Sequence, residues 1–333
     1  MDREPEELQF LGLFGIYKES FKIIISWRKI FNKITLALVL PLTFIFLAHM
    51  QVSGLIFSKI LHNEEALDFT RTDTATYHRL SDRISSEWVA FWLFKAAYLV
   101  FLLIFSLLST SAVVYSIASI YTAKELTFKK VMAVVPKVWK RLMVTFLWSF
   151  LIVFIYNVVA VVFFVLALIV VNPGTTAGIT LGIGLLALYF SGVVYISIVW
   201  HLASVISVLE DFKGIKAMTK SRALIKGKMR IACAIFVKLS IMFALIQIAF
   251  EKMVVHGGKL EMGSRVLFGI VCFLLLMQLF LFGLVVQSVF YFVCKSYHHE
   301  SIDKSLLADH LEVYGGEYVP LRGKDIQLEQ YDV

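Results

Sequence analysis

Six runs of at least 20 predominantly apolar residues divide this chain: Ile34–Phe57, Val89–Tyr121, Leu142–Val171, Ala177–Leu209, Ile231–Phe250 and Val266–Cys294. A helix crossing a hydrocarbon core needs about 20 such residues. Only helices and closed barrels can satisfy their backbone polar groups there. A barrel would be written in alternating segments of about 10 residues, whereas Val158–Val171 is apolar on every side. The runs therefore predict an all-α membrane protein with six transmembrane helices. Composition agrees: with 59% hydrophobic and 17% charged residues and a mean hydropathy of +0.81, the chain has too few charges to cover a water-exposed surface. That excludes a soluble globular enzyme, and such apolar content excludes disorder.

Lys and Arg set the expected orientation, because cytosolic loops are enriched in them. Residues 1–33, 122–141, 210–230 and the tail after Cys294 together carry 23, whereas the opposite connections carry seven. Both termini are thus expected in the cytosol. The acidic start Met1–Glu7 and the length of the first run predict an uncleaved anchor rather than a signal peptide. None of Asn32, Asn63, Asn157 and Asn172 begins a glycosylation sequon. The expected organisation is a cytosolic segment 1–33, a membrane domain 34–294 and a cytosolic acidic tail 295–333. An endoplasmic reticulum or other secretory-pathway membrane is the expected location, with the plasma membrane as the alternative.

The basic segments carry helical patterns of their own. In 126–141, Phe128, Val131, Met132, Val135 and Trp139 recur at near-helical spacing, with Lys129, Lys130, Lys137, Lys140 and Arg141 elsewhere on the wheel. Residues 10–33 align Leu13, Tyr17, Phe21 and Ile24 against Lys18, Lys22 and Lys29, and residues 211–228 set Phe212, Ile215, Met218 and Ile225 against Lys213, Lys216, Lys220 and Lys226. Such patterns predict amphipathic helices on the membrane surface, the middle one breaking at Pro136. Each precedes an outward and a returning span, so the fold is expected to be three hairpins, each led by an elbow helix. Ser20-Phe21-Lys22 matches Thr127-Phe128-Lys129, and Trp27-Arg28-Lys29 matches Trp139-Lys140-Arg141. Parallel repeats about an axis along the membrane normal are the expected relation.

Val208-Leu209-Glu210-Asp211, followed by Ala217, Ser221-Arg222, Leu224, Lys226-Gly227-Lys228 and Arg230, resembles the signature of the glycerophosphoryl diester phosphodiesterase membrane domain. The resemblance implies six helices with cytosolic elbows. The catalytic domain fused to some members of that superfamily is absent here, so no phosphodiesterase activity is implied. With Glu317-Tyr318-Val319-Pro320-Leu321 and Gln327-Leu328-Glu329-Gln330, the whole chain more closely resembles an uncharacterised plant family of multi-pass membrane proteins. Some members of that family are labelled as binders of polyadenylate-binding protein, and no activity follows.

The chemistry-bearing patterns are sparse. No P-loop, GxSxG, HExxH or GxGxxG occurs. The three cysteines, Cys233, Cys272 and Cys294, form no CxxC pair, and Cys294 is read as a packed residue rather than an acylation site. His298-His299-Glu300 with Asp303 is read as a solvated cluster, because adjacent histidines on a helix diverge by about 100°. No catalytic residue, cofactor or metal site is assigned. Lys238, His201, Asn157 and Gln278 form the candidate intramembrane polar site, since polar groups are costly in lipid and often functional. Snorkelling is the preferred reading of Lys238, and of Lys95 beside Trp88 and Trp92. No Asp or Glu lies centrally in a span, which weighs against ion-coupled transport.

The net charge of +8 sits beside the spans rather than on a separate basic domain, so attraction to anionic lipid replaces nucleic-acid binding as its explanation. Lys129, Lys130, Lys140, Arg141, Lys220, Arg222, Lys226 and Lys228 are the candidate headgroup contacts. The expected function is that of a non-catalytic membrane protein engaging lipid or acting as a scaffold, with a protein partner at the acidic tail. Tyr318-Val319-Pro320-Leu321 fits a tyrosine sorting pattern that also arises by chance. The alternative is a transporter or channel with a cavity between the repeats.

Overall fold

The computed structural model describes residues 5–70, 74–122, 126–171, 174–258 and 261–299. Every regular element in them is helical. After a 3-10 turn at Pro5–Phe10 come α1 (Leu13–Ser26), α2 (Arg28–Ile34), a π-helical turn at Thr35–Val39 and α3 (Leu40–Asp68). Then follow α4 (Ala75–Tyr121), α5 (Phe128–Val170), α6 (Thr176–Leu209), α7 (Ile215–Ile225), α8 (Met229–Phe250), a second π-helical turn at Glu251–Val255 and α9 (Met262–Tyr297). Six helical stretches, containing α3, α4, α5, α6, α8 and α9, are long and apolar enough to cross a membrane. The chain is a multi-pass membrane protein.

Local chemistry explains the starts and irregularities. Thr74 caps α4 by accepting from the Tyr77 amide at 3.3 Å, and Thr175 caps α6 by accepting from Gly178 at 3.1 Å, which satisfies amides otherwise orphaned at a helix start. Pro41 stands two residues after the first π turn, as the second residue of α3. A proline removes one amide and crowds the carbonyl four residues back, and one wider turn just before it relieves that crowding.

Two expected boundaries move. Residues 58–88 form no long loop, because α3 runs on to Asp68 and α4 begins at Ala75. Polar contacts zip the extended ends together. Asn63 donates to Glu87 at 2.7 Å, Trp88 donates to Glu64 at 3.1 Å, and Lys59 pairs with Glu87 at 3.0 Å. At about 1.5 Å per residue, the 47 residues of α4 exceed a bilayer core by several turns. The expected break at Pro136 is also absent: α5 is one helix from Phe128 to Val170 with Pro136 inside it. The proline forfeits one hydrogen bond, while Val131, Val134, Val135 and Val138 around it are all buried and hold the turn in place.

Burial is uneven along the helices. The main core gathers where α4, α6 and α9 end and α5 and α8 begin, and we call this the basic end. There Ala112–Val114, Ile117, Ala118, Val205, Ile206, Val285, Val286 and Val289 are buried against Ile16, Ile23, Val135 and Leu142. Ser109, Thr110, Ser111, Ser116 and Ser119 of α4 are buried too, each hydroxyl donating to the carbonyl four residues earlier. Small residues with self-satisfied hydroxyls let helix backbones approach closely. At the far end a smaller cluster of Leu47, Ile246, Phe250, Cys272 and Leu276 joins α3, α8 and α9. The far halves of α5 and α6 lie outside it. Phe150, Phe154, Val162, Phe163, Leu168, Ile183 and Leu188 are exposed.

Candidate functional site

The residues joining α6 to α7 converge on the basic end. Glu210, one residue beyond α6, accepts from the Tyr291 hydroxyl at 2.5 Å and from the Lys295 ammonium at 3.2 Å. Both ionic side chains are mostly buried, 14% and 18% exposed, and such a pair is costly to separate. Beside it, Arg141 of α5 pairs with Asp211 at 2.8 Å. Thr145 Oγ1 accepts from the Gly214 amide at 2.8 Å and lies 2.7 Å from the Ser207 hydroxyl. Gly214 stands at φ +60 with the Trp148 ring 2.7 Å from where a Cβ would be, so only glycine fits that bend.

The end of α7 is fastened in the same way. His298 Nε2–H donates to the carbonyls of Leu224 at 3.1 Å and Lys226 at 3.0 Å, so this histidine caps a helix. Among the described residues no group of three or more potential ligands could hold a metal, and Glu300 and Asp303 lie outside those residues. Gly227 follows at φ +86 with the Tyr297 ring closing on it. Lys228 donates to the Gln9 carbonyl at 2.8 Å, with its ammonium 4.9 Å from the Tyr297 ring centre.

These contacts sort the eight candidate headgroup cations. Arg141 and Lys228 are engaged within the protein, and Lys130 and Lys220 also have partners. Lys129, Lys140, Arg222 and Lys226 are exposed. The apolar stripes of the basic segments are largely spent on the protein itself. Ala217, Met218, Ser221, Leu224 and Ile225 of α7 are buried, whereas Phe212 and Ile215 are 41% and 49% exposed. In α1 the buried face is Ile16, Glu19, Ser20 and Ile23, and Phe21, expected on the apolar stripe with Leu13, Tyr17 and Ile24, is exposed. The short repeat matches share an environment only in part: Lys22 and Lys129 are both exposed, as are Arg28 and Lys140, whereas Ser20 is buried where Thr127 is exposed.

The four candidate intramembrane residues stay apart, with no hydrogen bond between any two of them. Asn157 of α5 donates to the Val153 carbonyl at 2.7 Å and accepts from Tyr189 of α6 at 2.9 Å. The His201 ring lies 5.2 Å from Trp200 and 5.7 Å from Phe236, and its carbonyl accepts from Gln287. Gln278 is exposed on α9. Lys238 is exposed on α8 with its ammonium 5.2 Å from the Phe14 ring centre.

Sequence reasoning missed three groupings. Glu210 with Tyr291 and Lys295 joins positions about eighty apart, and its one legible signal is an acidic pair inside a basic segment. His49 stacks on Tyr98 at 3.5 Å between ring centres. His49 Nε2, Gln51 Oε1 and Ser53 Oγ nearby on α3 are buried without partners. The meeting of Lys238 with Phe14 depends on how α1 lies across α8. Cys294 is fully buried, in keeping with a packed residue. The tyrosine sorting pattern and residues 300–333 of the acidic tail lie outside the described residues.

A family model described as a domain of unknown function (DUF8558) matches residues 1–331. The chain belongs to that family. No curated protein and no solved structure matches it.

Proposed function

We propose that this is a non-catalytic membrane protein of the secretory pathway, with both termini in the cytosol, that holds anionic lipid against its basic end. In this reading the elbow segments lead three helical hairpins, and the acidic tail serves a cytosolic protein partner. The observation that carries it is the division of labour at the basic end. The apolar faces of α7 and of the first turns of α5 are locked into the core, while Lys129, Lys140, Arg222 and Lys226 point away from it. Cations fixed in place beside a negatively charged leaflet gain about 1 kcal/mol each. The separate surroundings of Lys238, His201, Asn157 and Gln278 favour this reading over a transport pathway lined by them.

The test uses the purified full-length chain and measures binding to phosphatidylserine and to phosphatidylcholine. The wild type is expected to prefer the anionic lipid. Replacing Lys129, Lys140, Arg222 and Lys226 together by Gln is expected to weaken phosphatidylserine binding about tenfold or more, with phosphatidylcholine binding unchanged. Equal binding of the two lipids by the wild type would overturn the proposal.

A further inference from the structure

We infer that Lys238 and the N-terminal helix α1 form a discrete site for one anionic phospholipid. The phosphate would sit on the Lys238 ammonium, and one acyl chain would run along α8. This rests on the lipid-holding reading and names the place and ligand class of its tightest contact.

Four observations meet there. Lys238 lies nine residues after Met229, the first residue of α8, about 13 Å along the helix axis. A cation that far along an apolar span gains from reaching the headgroup layer and an anionic partner there. No carboxylate among the described residues pairs with it. The acid of the adjoining helix, Glu19, is turned into the bundle at 7% exposure. Lys238 is thus a cation without a carboxylate partner among the described residues, and a lipid phosphate would supply the countercharge.

The second observation is what holds the ammonium in place. It lies 5.2 Å from the ring centre of Phe14, a contact that fixes a cation over an aromatic face without neutralising it. Phe14 is itself 78% exposed, so the ring borders the surrounding medium rather than sealing the ammonium away.

Third, more positive charge flanks the site. Lys18 and Lys22 follow Phe14 at four-residue steps along α1, which places all three on one face. Both are exposed, as are Phe21 and Ile25 beside them. That face carries cations interleaved with aromatic and aliphatic groups, the pattern of a helix at a headgroup boundary.

Fourth, the surface leading away from Lys238 is a track for hydrocarbon. Ile241, Met242 and Leu245 follow it at three, four and seven residues, and all three are at least half exposed. Those spacings put them on the same face of α8 as the lysine, displaced away from the basic end. A cation followed by an apolar track is complementary to a molecule whose phosphate adjoins an acyl chain. Free phosphate would use only the first part of that surface.

The experiment is native mass spectrometry of the delipidated full-length protein with phosphatidylserine, phosphatidylcholine or inorganic phosphate added. The wild type is expected to retain one phosphatidylserine more tightly than the rest, undisplaced by excess inorganic phosphate. Lys238→Gln is expected to weaken that first binding step about fivefold. Lys238→Arg keeps it within about twofold, because the charge and the ring contact both survive. Phe14→Ala gives an intermediate loss, and Lys252→Gln, in the exposed π-helical turn at the far end, leaves this step unchanged. Lys238 is exposed, so the variants are expected to elute and unfold as the wild type does.

An unaltered first step in Lys238→Gln, with the wild-type preference for phosphatidylserine intact, would overturn this site and leave the broader reading standing. A wild type without that preference would overturn both. Displacement by inorganic phosphate would assign the site to a free anion and end the lipid assignment.

Discussion

The two ends of α5 are both rich in large apolar residues and meet opposite fates. Between Val131 and Ser149, positions 131, 134, 135, 138, 142, 145 and 149 are buried, a helical stripe set into the core of the basic end. Beyond it no residue of α5 is buried, although that stretch is the more apolar of the two. Lipid is as apolar as leucine, so apolar surface alone gives two helices in a membrane no reason to pack. Small and hydroxylated residues supply the reason at the basic end. Thr145 and Ser149 of α5 meet Ser207 of α6 and Met218 of α7 there, and the serines of α4 crowd into the same layer. At the far end, polar links between α5 and α6 come from Tyr189, which bonds Asn157, and from Tyr156, which bonds the carbonyls of Leu188 and Tyr189.

The contrast can be broken or sharpened by substitution. Ser207→Leu should do most harm, since the side chain is fully buried against Thr145. Overpacking at such a site costs about 3 kcal/mol, and the thermal unfolding midpoint in detergent should fall accordingly. Glu210→Gln is expected to cost less, about 1.5 kcal/mol, by weakening the hydrogen bonds of Tyr291 and Lys295. Tyr189→Phe at the far end removes one interhelical hydrogen bond, for a loss of about 0.6 kcal/mol. Phe163→Leu, on the exposed side of α5, should change the midpoint by less than about 0.5 kcal/mol. A Phe163→Leu variant that unfolds as readily as Ser207→Leu would show that the far end is also packed, against something beyond this chain.

The six spans were legible in the sequence because the bilayer imposes one length and one composition on whatever crosses it. Their ends were harder. The continuations of α3 and α4 beyond the apolar runs are polar and pair with each other through Asn63, Glu64 and Glu87, so no hydropathy signal announced them. Pro136 read as a break because a proline's local penalty is visible in sequence, whereas the buried valines that hold the helix through it are not. The basic segments were recognisable as amphipathic, but which face turned inward was decided by neighbours. Phe21 of α1 faces out because Ile16, Glu19, Ser20 and Ile23 fill the space against the bundle. Of the four polar residues singled out within the spans, Asn157 proved to be hydrogen-bonded locally and the His201 ring to lie among aromatic neighbours. Lys238 gained its meaning from Phe14, 224 positions earlier in the chain.

The most direct test is a nitroxide scan of α5, one labelled cysteine at a time from 128 to 170 in reconstituted bilayers, read by collision with dissolved oxygen. The expected profile has deep minima at 131, 134, 135, 138, 142, 145 and 149, set by the buried stripe. From 150 to 170 it should show only a shallow ripple where the helix leans on α6, with no fully shielded position. A second series of equally deep minima between 150 and 170 would contradict the division of α5 into a packed basic end and an open far half.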